Sequence, residues 1–188
     1  MLAELGGRLF RDAFAADNRP EDTRAYLAEH FTPAALARIL ADPTCRVLVL
    51  EHGGRAVGWA LLVTGTGAGV EIRRFYVEAP FQGSDASALL MRECLDRAAA
   101  LGAGSVWLAV WERNWRAQAF YAKHGFRRVG AQPFQFGSDT QVDDLLRRPV
   151  SFGVSLAIVA LGAAVVLRLR AGEDADPGPY LRRTAAAN

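Results

Sequence analysis

The chain has 188 residues, a formal net charge of +2 and an apolar fraction of 51%, which suits one ordinary domain with an appendage. Its 22 basic and 20 acidic residues are interleaved, so no block of like charge indicates a nucleic-acid partner.

Cys45 and Cys94 lie among apolar residues without a Cys or His at metal-ligand spacing, which predicts buried thiols and no metal site. Charges at Glu4, Arg8 and Arg11 interrupt any apolar signal region, so we expect a cytoplasmic protein.

Hydrophobic periodicity and turn residues divide the first 149 residues into alternating helices and strands. Thr32-Pro33 is typical of a helix start, and Gly53-Gly54 favours a hairpin turn. In chain order we predict helices over 2–15 and 21–40, strands over 46–51, 56–64 and 70–77, a helix over 86–101, a strand over 105–111, a helix over 114–123 and two strands within 126–146. This order predicts an α+β (or α/β) domain over residues 1–149 with a mixed sheet.

The composition changes after Pro149. Residues 150–167 contain no charge, which predicts an extra apolar helix over 150–169, and the polar segment 170–188 is expected to be disordered. Eighteen helical residues span about 27 Å, close to the roughly 30 Å of bilayer hydrocarbon. Three interpretations stay open: a transmembrane anchor that tethers a cytoplasmic domain to a membrane, a soluble helix packed on the domain, and an extension from an altered reading frame.

A distinctive pattern follows the apolar strand 105–111. Its residues are Asn114, Ala117, Phe120, Tyr121, Gly125 and Phe126. Together with the strand that ends at 74–77 and the turn over 78–83, this pattern resembles the GNAT (acetyl-CoA-dependent N-acetyltransferase) superfamily, and the resemblance spans nearly all of residues 1–148.

The resemblance implies a GNAT fold, in which a mixed central sheet is flanked by helices and two parallel strands splay apart. Here those strands are 70–77 and 105–111, and acetyl-CoA is expected between them as cosubstrate. Members of this superfamily usually open with a strand, whereas here Met1 directly precedes the first helix. The first strand is therefore expected to be missing, which would expose a sheet edge. A start assigned too late and a real truncation explain this equally well.

The resemblance also implies roles for particular residues. Tyr121 would protonate the departing thiolate, and Asn114 would contact the cofactor. The remaining cofactor-binding candidates are Phe75, Tyr76 and Val77 on the strand and Gln82, Gly83, Ser84, Ala86 and Ser87 in the following loop, with Tyr121 also contributing. Glu71 is the candidate base that deprotonates the amine. The competing interpretation of Glu71 is a surface carboxylate paired with an arginine.

The loop over 82–87 departs from the superfamily's phosphate-binding pattern, because Asp85 stands where a glycine is expected. A one-residue deletion would instead place Ala86 at the last small position. A carboxylate about 4 Å from a phosphate costs roughly 1–4 kcal/mol, unless Asp85 turns outward or serves as the helix N-cap.

The altered loop leaves two functions open. The first is direct acetyl transfer from acetyl-CoA to a primary amine, whose acceptor molecule (a small molecule or a peptide) would contact 16–32 and 132–141. The alternative is an inactive GNAT-fold module with impaired acyl-CoA binding, tethered to a membrane if 150–167 spans one. The sequence leaves the oligomeric state open.

Overall fold

A computed structural model of the chain describes residues 1–65, 69–150, 164–169 and 183–185, the last two segments by their backbone alone. One mixed sheet runs through the molecule in the order β5-β6-β4-β3-β2-β1-β7-β8. Its strands are β1 (Cys45–His52), β2 (Arg55–Val63), β3 (Val70–Val77), β4 (Ser105–Trp111), β5 (Arg127–Phe136), β6 (Asp139–Pro149), β7 (Ala164–Leu169) and β8 (Arg183–Ala185). Strands β1, β2 and β3 pair antiparallel, β3 pairs parallel with β4, and β4, β6 and β5 again pair antiparallel.

Helices cover both faces of this sheet. They are α1 (Leu2–Phe14), α2 (Pro20–His30), α3 (Pro33–Ala41), α4 (Asp85–Ala100) and α5 (Trp115–Lys123). The predicted stretch 21–40 is thus two helices, because Thr32 caps α3 by accepting a hydrogen bond from the Ala35 N–H. One apolar core lies under α4 and α5, and a second core lies under α1, α2 and α3. We call the two sides of the sheet the α4 face and the α1 face.

Gly6 lets α1 approach the sheet closely. A Cβ at this position would lie 2.8 Å from the Phe31 ring and 3.1 Å from that of Trp59. The glycine that weakens the helix by propensity is therefore required by packing on the α1 face.

The edge of β1 is paired, which corrects the expectation of an exposed edge. Strand β7 runs parallel to β1, with Val47 opposite Ala164 and His52 opposite Leu169. A backbone edge next to a buried strand offers unpaired N–H and C=O groups, and the C-terminal strand takes them up. Strand β7 thus covers the edge that was expected to be exposed.

The predictions for the C-terminal segment are wrong where the structure describes it. Ala164–Leu169 is a strand rather than part of the expected apolar helix over 150–169, and Arg183–Ala185 pairs with β7 instead of being disordered. The rest of the predicted disordered tail, 170–182 and 186–188, lies outside the described residues. A run of Ala, Val and Leu suits a buried strand as well as a helix, and tertiary pairing decided between them. Residues 151–163 lie outside the described residues. In the described part of the chain, no helix has the length and apolarity needed to cross a membrane.

A buried carboxylate connects α1 to the end of β3. Glu78 is 8% exposed and accepts hydrogen bonds from Arg8 Nη2, at 2.7 Å, and from Arg55 Nη1. The hydrogen bond from Arg55, followed by that from Arg8, holds the pKa of Glu78 below its ordinary value. This ion pair fixes the point where β3 leaves the sheet and enters the loop before α4.

We expect Glu78→Gln to lower the free energy of unfolding by about 1–3 kcal/mol at neutral pH, because two charge-assisted hydrogen bonds are weakened. A lowered folded-state pKa means that this stabilisation exists above the unfolded pKa of about 4.3 and is lost as the pH falls through the folded value. Urea unfolding at neutral and at acidic pH measures both effects.

Glu4→Gln is the matched control, since the Glu4 carboxylate is 87% exposed and, within the described residues, pairs only with the N-terminal amine. It should change stability by less than about 0.5 kcal/mol. Equal stability of Glu78→Gln and the wild type at neutral pH would contradict the assigned role.

Candidate active site

A cleft of about 1540 Å³ opens where β3 and β4 separate. These parallel strands pair only through Val70 opposite Val106 and Glu71 opposite Trp107, although both continue for several residues. The backbone of β3 beyond Glu71 therefore has no partner on its β4 side, and an unpaired backbone edge in a cleft is suited to binding an extended ligand.

A bulge at Arg73 sets which side chains face which side of the cleft. Leu62 pairs with Ile72 and Leu61 with Arg74, so Arg73 is an extra residue in β3. Simple alternation predicts Ile72 on the same face as Arg74, whereas Ile72 lies in the core on the α4 face, as does Phe75. The bulge reverses the phase of the strand, so simple alternation from the sequence misplaces Ile72.

Tyr121 lies on the α4 face, where its ring is held by other aromatic rings. The ring centroids of Phe126 and Phe75 lie 5.8 and 6.3 Å away, and the side chain is 8% exposed. Burial, with a smaller contribution from Cys94, raises the pKa of Tyr121 above its ordinary value. Among the described residues its hydroxyl has no hydrogen-bond partner, yet it is not fully occluded from the cleft. The hydroxyl is therefore protonated at neutral pH and free to donate to a ligand.

The N-terminus of α4 forms another part of the wall. Ser84 is the N-cap, since its Oγ accepts from the Ala86 N–H at 3.2 Å, so Asp85 is not the cap. Asp85 occupies the first helical position with an exposed side chain. The first N–H groups of a helix lack partners within it and attract anions. This end of the cleft is suited to a phosphate, with Asp85 at its rim.

The other loop candidates differ in their access to the cleft. Gly83 has a φ of +70° and lines the cleft, as does Ser87, whose Oγ donates to the Ser84 carbonyl at 2.8 Å. Ala86 packs in the core and offers the cleft no side chain. The Gln82 Nε2 donates to the Val77 carbonyl at 2.8 Å, so it supports the end of β3.

The structure brings most remaining predicted residues to the same cleft. Asn114 caps α5 by accepting from the Ala117 N–H at 3.1 Å and also lines the cleft. Phe75 and Val77 lie on the α4 face, whereas the Tyr76 side chain packs in the core on the α1 face.

Glu71 forms an ion pair with Arg73, whose Nη2 lies 2.7 Å from Glu71 Oε2. The structure thus contains the carboxylate–arginine pair that the competing interpretation of Glu71 predicts. The Glu71 side chain also lines the cleft.

Tyr26, Arg74 and Asp143 line the cleft on the α1 face. Tyr26 belongs to the predicted acceptor segment 16–32, whereas Arg74 and Asp143 were given no role from the sequence. The pKa of Tyr26 is raised by burial, an effect that the Arg74 guanidinium opposes and the Asp143 carboxylate increases. These residues come from α2, β3 and β6, so no local motif connects them. The Arg74 guanidinium carbon also lies 4.6 Å from the Phe31 ring centroid, as in a cation–π contact.

Comparison with known proteins agrees with this architecture. A model of the acetyltransferase (GNAT) family matches residues 9–126, which is more than half of the chain. The chain belongs to this family. An uncharacterised N-acetyltransferase of Mycobacterium tuberculosis is 36% identical to this GNAT chain over 147 residues, which cover 78% of the chain and 94% of that protein. An uncharacterised N-acetyltransferase of Lactobacillus delbrueckii subsp. lactis is 30% identical, over 74% of the chain and 84% of that protein.

Solved structures confirm the GNAT fold. The PaiA N-acetyltransferase of Thermoplasma acidophilum, crystallised with coenzyme A, superposes with a TM-score of 0.66 at 18% identity, over 79% of this chain and 90% of that one. An aminoglycoside 6′-acetyltransferase of type Ii gives a TM-score of 0.60 at 19% identity, over 80% and 90% of the two chains. The predicted α+β fold with splayed parallel strands is thereby confirmed.

We expect Tyr121→Phe to lower kcat by about a hundredfold or more, because the departing sulfur loses its hydrogen-bond donor. The dissociation constant for acetyl-CoA should change by no more than about twofold, since the ring and its packing are kept. Thiol release and calorimetry measure the two effects. Tyr76→Phe is the control, because that hydroxyl belongs to the opposite face, and wild-type kcat in Tyr121→Phe would contradict the role.

Asp85→Asn should tighten acetyl-CoA binding by about three- to tenfold, because it removes a negative charge beside the expected phosphates. We expect a gain in affinity of about threefold, because the Asp85 side chain is exposed and water screens its charge. Calorimetric titration at low and high salt tests this, and the gain should shrink at high salt. Unchanged affinity at low salt would show that Asp85 lies away from the phosphates.

Proposed function

We propose that this protein transfers an acetyl group from acetyl-CoA directly to a primary amine. The observation that carries the proposal is the gap between β3 and β4, which begins after only two residue pairs. The first N–H groups of α4 and the Tyr121 hydroxyl both border it. An open strand edge, a helix N-terminus and a hydroxyl donor match an extended molecule with a pyrophosphate at one end and a thioester at the other.

These residues fit the cosubstrate group by group. Phe75, Tyr76 and Val77 line the gap, where the backbone groups of β3 that face away from β2 are suited to the pantetheine amides, and Asn114 borders the same gap. The loop from Gln82 to Ser87 supports the pyrophosphate end through its backbone. The coenzyme A complex of the Thermoplasma structure supports this assignment, since the two proteins share the fold.

The reaction needs no covalent enzyme intermediate. The amine nitrogen attacks the thioester carbonyl carbon, a C–N bond forms and the C–S bond breaks. The amine gives up its proton to a base, and the departing sulfur accepts a hydrogen bond and then a proton from Tyr121, which solvent restores. Because burial raises the pKa of Tyr121, this donor stays protonated across the neutral range. Cys94 is fully buried and takes no part.

An inactive acyl-CoA-binding module is the second candidate. The observation that favours it is Asp85, whose carboxylate stands at the N-terminus of α4, where phosphate binding needs positive potential. The two candidates differ in cofactor affinity and in turnover, so binding and transfer have to be measured on the same preparation.

Calorimetric titration of acetyl-CoA into the full chain should give a micromolar dissociation constant. Free coenzyme A should bind with similar affinity, and pantetheine, which lacks the nucleotide phosphates, at least about tenfold more weakly, because the α4 N-terminus loses its anion. Absence of binding at millimolar acetyl-CoA, by protein whose circular dichroism shows it folded, would favour the inactive module and contradict the enzyme.

A further inference from the structure

The α1 side of the cleft has an aromatic wall built from two separate parts of the chain. Helix α2 is joined to the β5–β6 hairpin through Asp22, which accepts hydrogen bonds from the Ser138 N–H at 3.1 Å and the Ser138 Oγ at 3.0 Å. Gly137 in the hairpin turn has a φ of +56°, and a Cβ there would collide with the Asp22 carboxylate. The turn therefore fits against α2 in one arrangement.

Partly exposed rings border the cleft on this wall. Tyr26 packs on Phe134 with ring centroids 6.5 Å apart, and Phe14 belongs to the same cluster. Phe10 and Phe136, which are 5% and 3% exposed, support these rings from behind. Such a wall is suited to an aromatic or alkyl group, and its ring faces attract a cation.

Asp143 is the charged group beside this wall. It lies on β6 opposite Trp111, and its carboxylate acts on the Tyr26 hydroxyl across the cleft. Burial, followed by the neighbouring charge of Asp144, raises the pKa of Asp143. In the part of the chain that the structure describes, no salt bridge or side-chain hydrogen bond involves Asp143, whereas Asp144 pairs with Arg128 at 2.6 Å. A half-buried carboxylate without a partner requires a cation or a proton.

Three of the other acidic residues on this side of the cleft have partners within the described residues, since Asp22 accepts from Ser138, Asp42 accepts from Thr44 and Glu71 pairs with Arg73. Glu29 lies 3.9 Å from the His30 imidazole, too far for a hydrogen bond, but its side chain is 76% exposed and water hydrates its charge. Asp143 is thus the half-buried carboxylate on this side that has no partner within the described residues. Arg74, next to Tyr26, adds a positive charge that opposes the approach of a second cation.

We infer that Asp143 binds the ammonium group of the acceptor and removes its proton, and that the acceptor is a primary amine with one positive charge and an aromatic or alkyl body. This inference rests on the proposed acetyl transfer. The ammonium proton moves to the Asp143 carboxylate, the neutral nitrogen forms the C–N bond, and the C–S bond breaks toward Tyr121. Asp143 replaces Glu71 as the base, because the Glu71 carboxylate is engaged by Arg73.

Three amines test the acceptor class with acetyl-CoA at saturation. 2-Phenylethylamine has the predicted body and one charge, phenylalanine adds a carboxylate to the same body, and spermidine has several ammonium groups. Thiol release should show a kcat/KM for 2-phenylethylamine at least tenfold above the other two. A preference for spermidine or for phenylalanine would overturn the inference.

The base is tested with variants of similar size at neighbouring positions. Asp143→Asn should lower kcat/KM for 2-phenylethylamine by about a hundredfold or more, and Asp143→Glu should recover part of it. Asp144→Asn, whose carboxylate pairs with Arg128 in the wild type, should stay within about threefold of the wild type. Glu71→Gln should lose far less activity than Asp143→Asn. A loss in Glu71→Gln with wild-type behaviour of Asp143→Asn would overturn the assignment.

Calorimetry with acetyl-CoA separates failure of this inference from failure of the proposed function. Wild type and Asp143→Asn should bind acetyl-CoA equally, within about twofold, because the cosubstrate lies on the α4 side. If acetyl-CoA binds and another class of amine is acetylated, the acceptor inference is wrong and the proposed function stands. If acetyl-CoA does not bind the folded protein, both are wrong.

Discussion

The limited pairing of β3 with β4 is the constraint on which the cleft depends. The two strands share only two residue pairs, so the backbone of β3 beyond Glu71 is left without a strand partner on that side. Unpaired backbone groups inside a protein are costly unless water or a ligand satisfies them. Residues of α4 and α5 line the opening on one face, and the bulge at Arg73 sets which side chains of β3 face it.

The two sides of the cleft differ in chemistry. The α4 side offers helix N–H groups and the unbonded hydroxyl of Tyr121, which suit anions and a developing thiolate. The α1 side offers ring faces and the free carboxylate of Asp143, which suit a cationic amine. The two substrates of the proposed acetyl transfer have these opposite charges, and the proposal places their meeting point in the gap between the strands.

The C-terminal segment shows how tertiary pairing overrides a local pattern. An uncharged run of Ala, Val, Leu and Ile has the same periodicity as a buried helix or a buried strand over a short window. The open edge of β1 offered a row of hydrogen-bonding groups, and residues 164–169 pair with it as β7. No local pattern in the sequence indicated that this segment would cover the edge of β1.

The sequence by itself determined the order of helices and strands up to β6, apart from the division of 21–40 into α2 and α3, and the helix start at Thr32, because local motifs fix these through neighbours in the chain. The site residues predicted in 75–87 and 114–121 border one cleft, apart from Ala86, and their roles stay predictions. Only the tertiary structure decided the pairing of β7, the phase of β3 after its bulge, and the meeting of Tyr26, Arg74 and Asp143. Those contacts join residues far apart in the chain, and no periodicity or short motif encodes which distant strand edge or charge will be near.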